Sequence, residues 1–152
     1  MKKNGWQCQC IRCREVRESE VDPNNFELSK IEYRTTTGTE LFLSWEDREH
    51  RRLASFTRLR LPDDDGKDAL LPVLRGAALI RELHTYGRHT RVGAEGGQSQ
   101  HVGFGRRLIA EAELIAKDAG YAKLAIISGI GVREYYRKLG YELEGTYMVK
   151  YL

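Results

Sequence analysis

The chain has 152 residues, a formal net charge of +3, and a composition that is 41% hydrophobic and 31% charged. That length and balance describe one globular domain with a sizeable core, and they exclude a low-complexity, collagenous or wholly disordered chain. No apolar run reaches the ~18 residues of a membrane span, and "MKKNGW" has no apolar stretch behind its lysines, so neither a membrane partner nor a secretory signal is expected.

Taken in chain order, the first feature is the thiol cluster "CQCIRC", which holds all three cysteines, Cys8, Cys10 and Cys13. Thiolates at this spacing suit tetrahedral Zn²⁺ with one ligand drawn from elsewhere, and free structural thiols are the alternative. In a chain without an export signal they point to the reducing cytosol. None of the histidines, at positions 50, 84, 89 and 101, is close in sequence. Residues 27–36 and 39–46 are β-rich runs around a turn at Thr37-Gly38, and 52–61 alternates in its outer half like a third strand. "PDDDGKD" breaks the chain, and 76–86 reads as a fourth strand, with a helix possible on propensity alone. The glycine-rich segment 87–99 reads as a mobile surface loop. Gly103 to Asp118 follows as the best helix, with Leu108, Ile109, Ala112, Ile115 and Ala116 at helical spacing and Gly120 placed to end it. The run "KLAIIS" reads as a strand buried on both faces, Val132–Leu139 as a short helix ended by Gly140, and "YELEGTYMVKYL" as one or two closing strands. The order predicts an α/β fold with an antiparallel hairpin sheet in front.

The turn "QHVGFGRRL" carries the strongest chemical signal. Glycines at 103 and 105 let a ligand approach the backbone, and the first N–H groups of the following helix are unpaired donors at its positive end, which receive phosphate oxygens. The pattern Gln100-x-x-Gly103-x-Gly105 resembles the pyrophosphate signature of the GNAT (GCN5-related N-acetyltransferase) superfamily, and "YYRKLGY" at 135–141 resembles its second recurring segment. "ALIRELHTYG", "QHVGFG", "SGIGVREYYRKLGY" and "GTYMVKYL" are together similar to the C-terminal acetyltransferase domain of the Elongator catalytic subunit family. "CQCIRCREV" is similar to the cysteine segment that joins that domain to a radical S-adenosylmethionine (SAM) domain.

The resemblance implies a GNAT fold over 26–152 behind a cysteine linker at 1–25. It also implies an acetyl-CoA-dependent acyltransferase that works toward a 5-carboxymethyl group on the wobble uridine of tRNA in the cytoplasm. Acetyl-CoA contacts fall on Glu82, Leu83, His84 and Thr85, on Gln100, Val102, Gly103, Phe104, Gly105 and Arg106, and on Tyr136. Arg106 or Arg107 adds a charge-assisted bond to a phosphate. Tyr136 takes the place of a general acid for the leaving thiolate. Glu82 and His84, two apart on a strand and so on one face, are further catalytic candidates, whereas His101 shapes the loop. The implied partners are tRNA, the radical SAM domain and other Elongator-type subunits or a homodimer. SAM and a 4Fe–4S cluster belong to the radical SAM domain alone, since this chain lacks the Cys-x-x-x-Cys-x-x-Cys triplet. Histone or other protein lysine acetylation, and a non-catalytic acetyl-CoA- or RNA-binding module, are the competing readings. Two departures from the family pattern stand out: the two helices usual between the first two strands are missing unless 14–26 supplies a substitute, and a linker lacking its fourth metal ligand is expected to be disordered over 1–20.

Overall fold

The computed structural model describes residues 8–17, 22–47, 49, 51–67, 69–87 and 102–152. The expected loop at 88–99, together with Gln100 and His101, and also His50, lies outside the described residues. Three long antiparallel strands come first: β1 (Phe26–Thr35), β2 (Gly38–Asp47) and β3 (Arg52–Pro62). Gly38 opens β2 at φ 153°, where a Cβ would come within 2.5 Å of the Leu61 carbonyl oxygen, so the hairpin turn at 36–37 needs glycine beside it. β4 (Ala77–Thr85) pairs with β3 antiparallel, then α2 (Val102–Asp118) crosses over to β5 (Lys123–Ile127), which runs parallel to β4. α3 (Arg133–Arg137) and the hairpin β6 (Glu142–Glu144) and β7 (Tyr147–Tyr151) complete the chain. The seven strands form one sheet in the order β1-β2-β3-β4-β5-β7-β6.

Alternation along the strands divides the sheet into two faces. Leu41, Leu43 and Trp45 of β2, Leu59 of β3, Ile80 of β4 and Leu124 and Ile126 of β5 bury against Phe104, Leu108, Ile109, Ala112 and Ala116 of α2. Those α2 residues recur at three- and four-residue spacing, so one stripe of the helix meets the sheet. Tyr136 of α3 and Tyr141 join the same core, which places both helices on one face. On the other face a smaller cluster, Ala77, Ala125, Tyr147 and Val149, packs under Val73 and Leu74 of the loop that precedes β4.

The elements lie within a residue or two of their expected bounds, including Gly120 at φ 88° and Gly140 at φ 87° past the two helices. The front of the chain differs. Among the described residues, 14–26 supplies no substitute helix. α1 (Ile11–Arg14) is a single turn, and a 3-10 turn spans Pro23–Asn25. Nor is the cysteine segment detached over 8–17: Glu15 bridges Leu53 of β3, the Val16 N–H donates to the Leu53 carbonyl at 3.1 Å, and Val16 is buried in the main core. A single apolar side chain with a main-chain bond is enough to tie a linker to a strand end.

Candidate active site

The site forms where β4 parts from β5. The two pair only from Ala77 to Ile80 against Lys123 to Ile126, so β4 runs on to Thr85 without that neighbour. On its other side β4 stays paired with β3 up to Thr85, and the Tyr86 N–H donates to the Ala54 carbonyl at 2.8 Å. Main-chain groups alternate between the two edges of a strand. Tyr86, His84 and Glu82 therefore point theirs at β3, and Leu83 and Thr85 present N–H and C=O groups toward the open edge. Ser55 and Thr57 of β3, both fully buried, donate their hydroxyls to the His84 and Glu82 carbonyls at 2.8 and 2.7 Å. These bonds hold the last turn of β4 in place while its far edge is bare.

A bulge sets which side chains face which way. Arg58 lies opposite Glu82 but Leu59 lies opposite Ile80, so Arg81 is the extra residue in β4. Arg81 and Glu82 consequently share the face away from α2. There Arg81 reaches the buried Glu40 carboxylate at 2.9 Å, with Arg60 on the same oxygen at 2.8 Å. Arg58 pairs with Glu82 at 3.0 Å. His84 lies on that same face, exposed, with its ring stacked on Phe56 at 5.1 Å. The expected same-face placement of Glu82 and His84 holds. Leu83 packs against the main core, and Thr85 turns its side chain to the α2 side.

The first turn of α2 meets the open end of β4 at one point. A Cβ on Gly105 would stand 3.0 Å from the Thr85 hydroxyl and 3.5 Å from that of Tyr135 in α3, so strand, helix and tyrosine converge there because residue 105 has no side chain. Gly103 is different, with nothing within 4 Å of its Cβ position. The Phe104 side chain is not available to a ligand: it is buried, stacked on Trp45 at 5.3 Å and tilted against Phe26 at 5.7 Å. Its expected ligand contact reduces to the main chain, which the glycines on either side leave accessible. Both arginines of this turn are exposed; Arg107 lies 3.8 Å over the Trp45 ring, and Arg106 sets its positive charge toward Tyr135. Val102 opens the helix.

The tyrosines of α3 divide. Tyr136 is 6% exposed and packs edge-on to Tyr135 and Tyr141 at 5.3 and 6.1 Å. Burial, with a smaller contribution from Tyr135, pushes its phenol up to about 12. It carries its proton at neutral pH, as a general acid must. Tyr135 packs half-buried against the main core and sets its hydroxyl at Gly105, and burial raises its phenol too. Tyr141 donates to Glu113 of α2 at 2.8 Å, and Lys150 of β7 holds the other Glu113 oxygen at 2.8 Å, which fastens α2 to the end of the sheet.

At the front of the chain the Cys8, Cys10 and Cys13 sulfurs all lie within 4.8 Å of one another and are exposed. Hydrogen bonding with Cys8, then with Cys13, lowers the Cys10 thiol, and the bond to Cys10 is the main cause raising Cys13 to about 11. Three thiols converging on one point fit a thiophilic tetrahedral ion such as Zn²⁺, and among the described residues they are the whole donor set.

Sequence reasoning missed three things: the Arg81 bulge, the Phe104–Trp45 stack and the meeting of Tyr135 with Gly105. Only the last left a signal, the paired tyrosines at 135–136 beside a glycine with no evident turn to make.

No family model matches the chain. Its fold is shared with a Bacillus anthracis chain classed as a streptothricin acetyltransferase and solved with acetyl coenzyme A, at a TM-score of 0.52 and 12% identity, covering 89% of this chain and 90% of that one. The split sheet, the helix N-terminus at the split and this likeness define a GNAT-type acetyltransferase fold. The chain is 44% identical over 161 residues to "tRNA uridine(34) acetyltransferase" of Methanocaldococcus jannaschii, and 45% identical over 159 residues to "Elongator complex protein 3" of Danio rerio. It matches the solved archaeal Methanocaldococcus infernus Elp3 with a TM-score of 0.83 and 41% identity, covering 100% of this chain and 37% of that one. Over its whole length the chain is homologous to one segment of the tRNA uridine(34) acetyltransferase and Elongator complex protein 3 relatives. All of the chain aligns, yet it spans only 29% and 28% of the two curated relatives.

Proposed function

We propose that the chain is the acetyl-CoA-binding acyltransferase part of an enzyme that builds the 5-carboxymethyl group on the wobble uridine of tRNA. The observation that carries this reading is the convergence of Thr85, Gly105 and Tyr135 beside the open edge of β4. There the free groups of Leu83 and Thr85 pair with the pantetheine arm, the first N–H groups of α2 take the pyrophosphate, and Arg106 adds charge. Tyr135 donates its hydroxyl to the bound molecule, and Tyr136 supplies the proton for the departing thiolate. Gln100, outside the described residues, is assigned to the same pyrophosphate by resemblance. Glu82 and His84 line the opposite face, where an acceptor arrives. The radical chemistry, with SAM and a 4Fe–4S cluster, belongs to a companion radical SAM domain. tRNA and Elongator-type subunits or a second copy are its partners, and the cytoplasm is its compartment. Among the described residues no helix is long and apolar enough to cross a membrane.

Calorimetric titration of the chain with acetyl-CoA is the test. Gly105→Val would force the Thr85 and Tyr135 hydroxyls apart and is expected to weaken binding at least tenfold, while Gly103→Ala, whose Cβ meets nothing, is expected to bind within about twofold of the parent. Equal affinities for the two variants, or no binding by the folded parent, would remove the assignment. Acetyl transfer to a lysine peptide without any retention of tRNA in a mobility shift would favour protein acetylation instead.

A further inference from the structure

The face of the sheet away from α2 carries a row of rings laid across three strands. Phe42 of β2 stacks on Phe56 of β3 at 5.2 Å and 24°, and Phe56 stacks on His84 of β4 at 5.1 Å and 23°. Tyr86 stands 6.3 Å from both Phe56 and His84, within 30° and 13° of parallel. The rings are parallel slats, and their order follows the strand order. The row begins half-buried at Phe42, is buried at Phe56 and becomes exposed at His84. The next position beyond His84 is not filled by β5, which has ceased to pair with β4 four residues earlier, at Ile80. The last ring face of the row is therefore offered at the same opening in the sheet that leaves Leu83 and Thr85 unpaired.

The charge along this face is mixed: Glu15 and Glu82 act on the Tyr86 hydroxyl at its outer end, and a guanidinium excess lies at Arg81. Arg58 is matched by Glu82, but Arg60 and Arg81 share the single carboxylate of Glu40, which leaves one guanidinium charge in excess. Arg81, put on this face by the bulge, is the more exposed of that pair, with 51% of its side chain accessible against 21% for Arg60. A flat ring stack ending in an imidazole, beside a surplus guanidinium, matches a planar base attached to a phosphate chain better than it matches an aliphatic ammonium.

We infer that the Phe42–Phe56–His84 row is a stacking platform for one unpaired base of an RNA loop, which becomes the next slat beyond His84, with Arg81 on the neighbouring phosphate. This rests on the reading of the β4 opening as the acyl site: a base stacked on His84 would lie over that opening, with its edge presented to the acyl group. Tyr86 flanks the platform and keeps the imidazole upright.

The test measures binding of an anticodon stem–loop RNA, with uridine at the first anticodon position, to the whole chain by fluorescence anisotropy. A second RNA carries an abasic nucleotide at that position. His84→Ala is expected to weaken the uridine RNA by about tenfold, in the range of one lost base–aromatic stack, and to leave the abasic RNA unchanged, while His84→Phe restores parent affinity. Arg81→Gln is expected to weaken both RNAs alike and to lower the salt dependence by about one phosphate contact. If the parent fails to bind the stem–loop, or if the parent and a folded His84→Ala bind the uridine RNA equally, the platform is overturned. The same holds if a lysine peptide displaces the RNA from the parent but not from His84→Ala. The acetyl-CoA titration of the parent is read separately: its failure removes the acyl site, whereas normal acetyl-CoA binding with RNA affinity insensitive to His84 removes only the platform.

Discussion

Tyr136 concentrates two demands in one phenol. Packing it between Tyr135 and Tyr141 keeps its hydroxyl protonated, and the same packing links it to stability. Its ordinary value of 10.0 rises to about 12 in the folded chain, so the folded state holds the proton more tightly than the unfolded one. The resulting stabilisation is complete below the unfolded value and is lost as pH climbs from about 10 to 12, a loss of roughly 2–3 kcal/mol from this group. Tyr136→Phe is expected to shift the alkaline unfolding midpoint upward, followed by circular dichroism. In the proposed acid role its loss is also expected to lower acetyl transfer from acetyl-CoA about 100-fold with little change in acetyl-CoA affinity. A variant that transfers acetyl at the parent rate would move the proposed acid role to another group, and Tyr135, with its hydroxyl at Gly105, is the neighbour to examine.

At the scale of elements, α2 is fixed at both ends by different means. Its first turn is clamped by Phe104 against Trp45 and by the Arg107 guanidinium over the same indole, and its later turns by Glu113 to Tyr141 and Lys150. Arg107→Ala is expected to cost about 1 kcal/mol in urea unfolding, the size of one cation–π contact, and to loosen the first turn of α2. The outline of these elements was legible in the sequence because it is local information. Leu108, Ile109, Ala112 and Ala116 repeat on one helical stripe, and Gly120 and Gly140 sit where chains leave helices. The side chains that build the site were less legible, since their contacts span distances in sequence that no periodicity records. Phe42, Phe56 and His84 form one row only because two strand registers bring them abreast, and Arg81 reaches Glu40 only because a bulge adds one residue to β4. The Gly103 and Gly105 pair illustrates the difference. Both carry the motif, but Gly105 alone is sterically required, and that depends on Thr85 and Tyr135 arriving from elsewhere.

For the molecule as a whole, the one-sided arrangement of its helices matters most. α2 and α3 lie on a single face, together with Val16 of the cysteine segment, and the other face keeps the ring row and the guanidiniums. On the proposed reading the helix side takes the cofactor and the ring side the acceptor, and the two are joined through the opening between β4 and β5. A donor and an acceptor that come from opposite sides meet at that opening without crossing each other's path.

The tight hairpin that begins the domain has a consequence for self-association. It leaves β1, ten residues long, at the end of the sheet order, with Ile31 and Tyr33 exposed and no further strand beyond it among the described residues. Such an edge is a template on which a foreign strand can crystallise, and here it is guarded by alternating charge, Lys30, Glu32 and Arg34, along the same exposed stretch. Replacing Lys30 and Glu32 together with valine would leave the fold's core untouched and strip most of the guard. The double variant is expected to melt near the parent temperature yet scatter light at concentrations where the parent stays clear, so the charges on β1 would be seen to act on solubility rather than on stability.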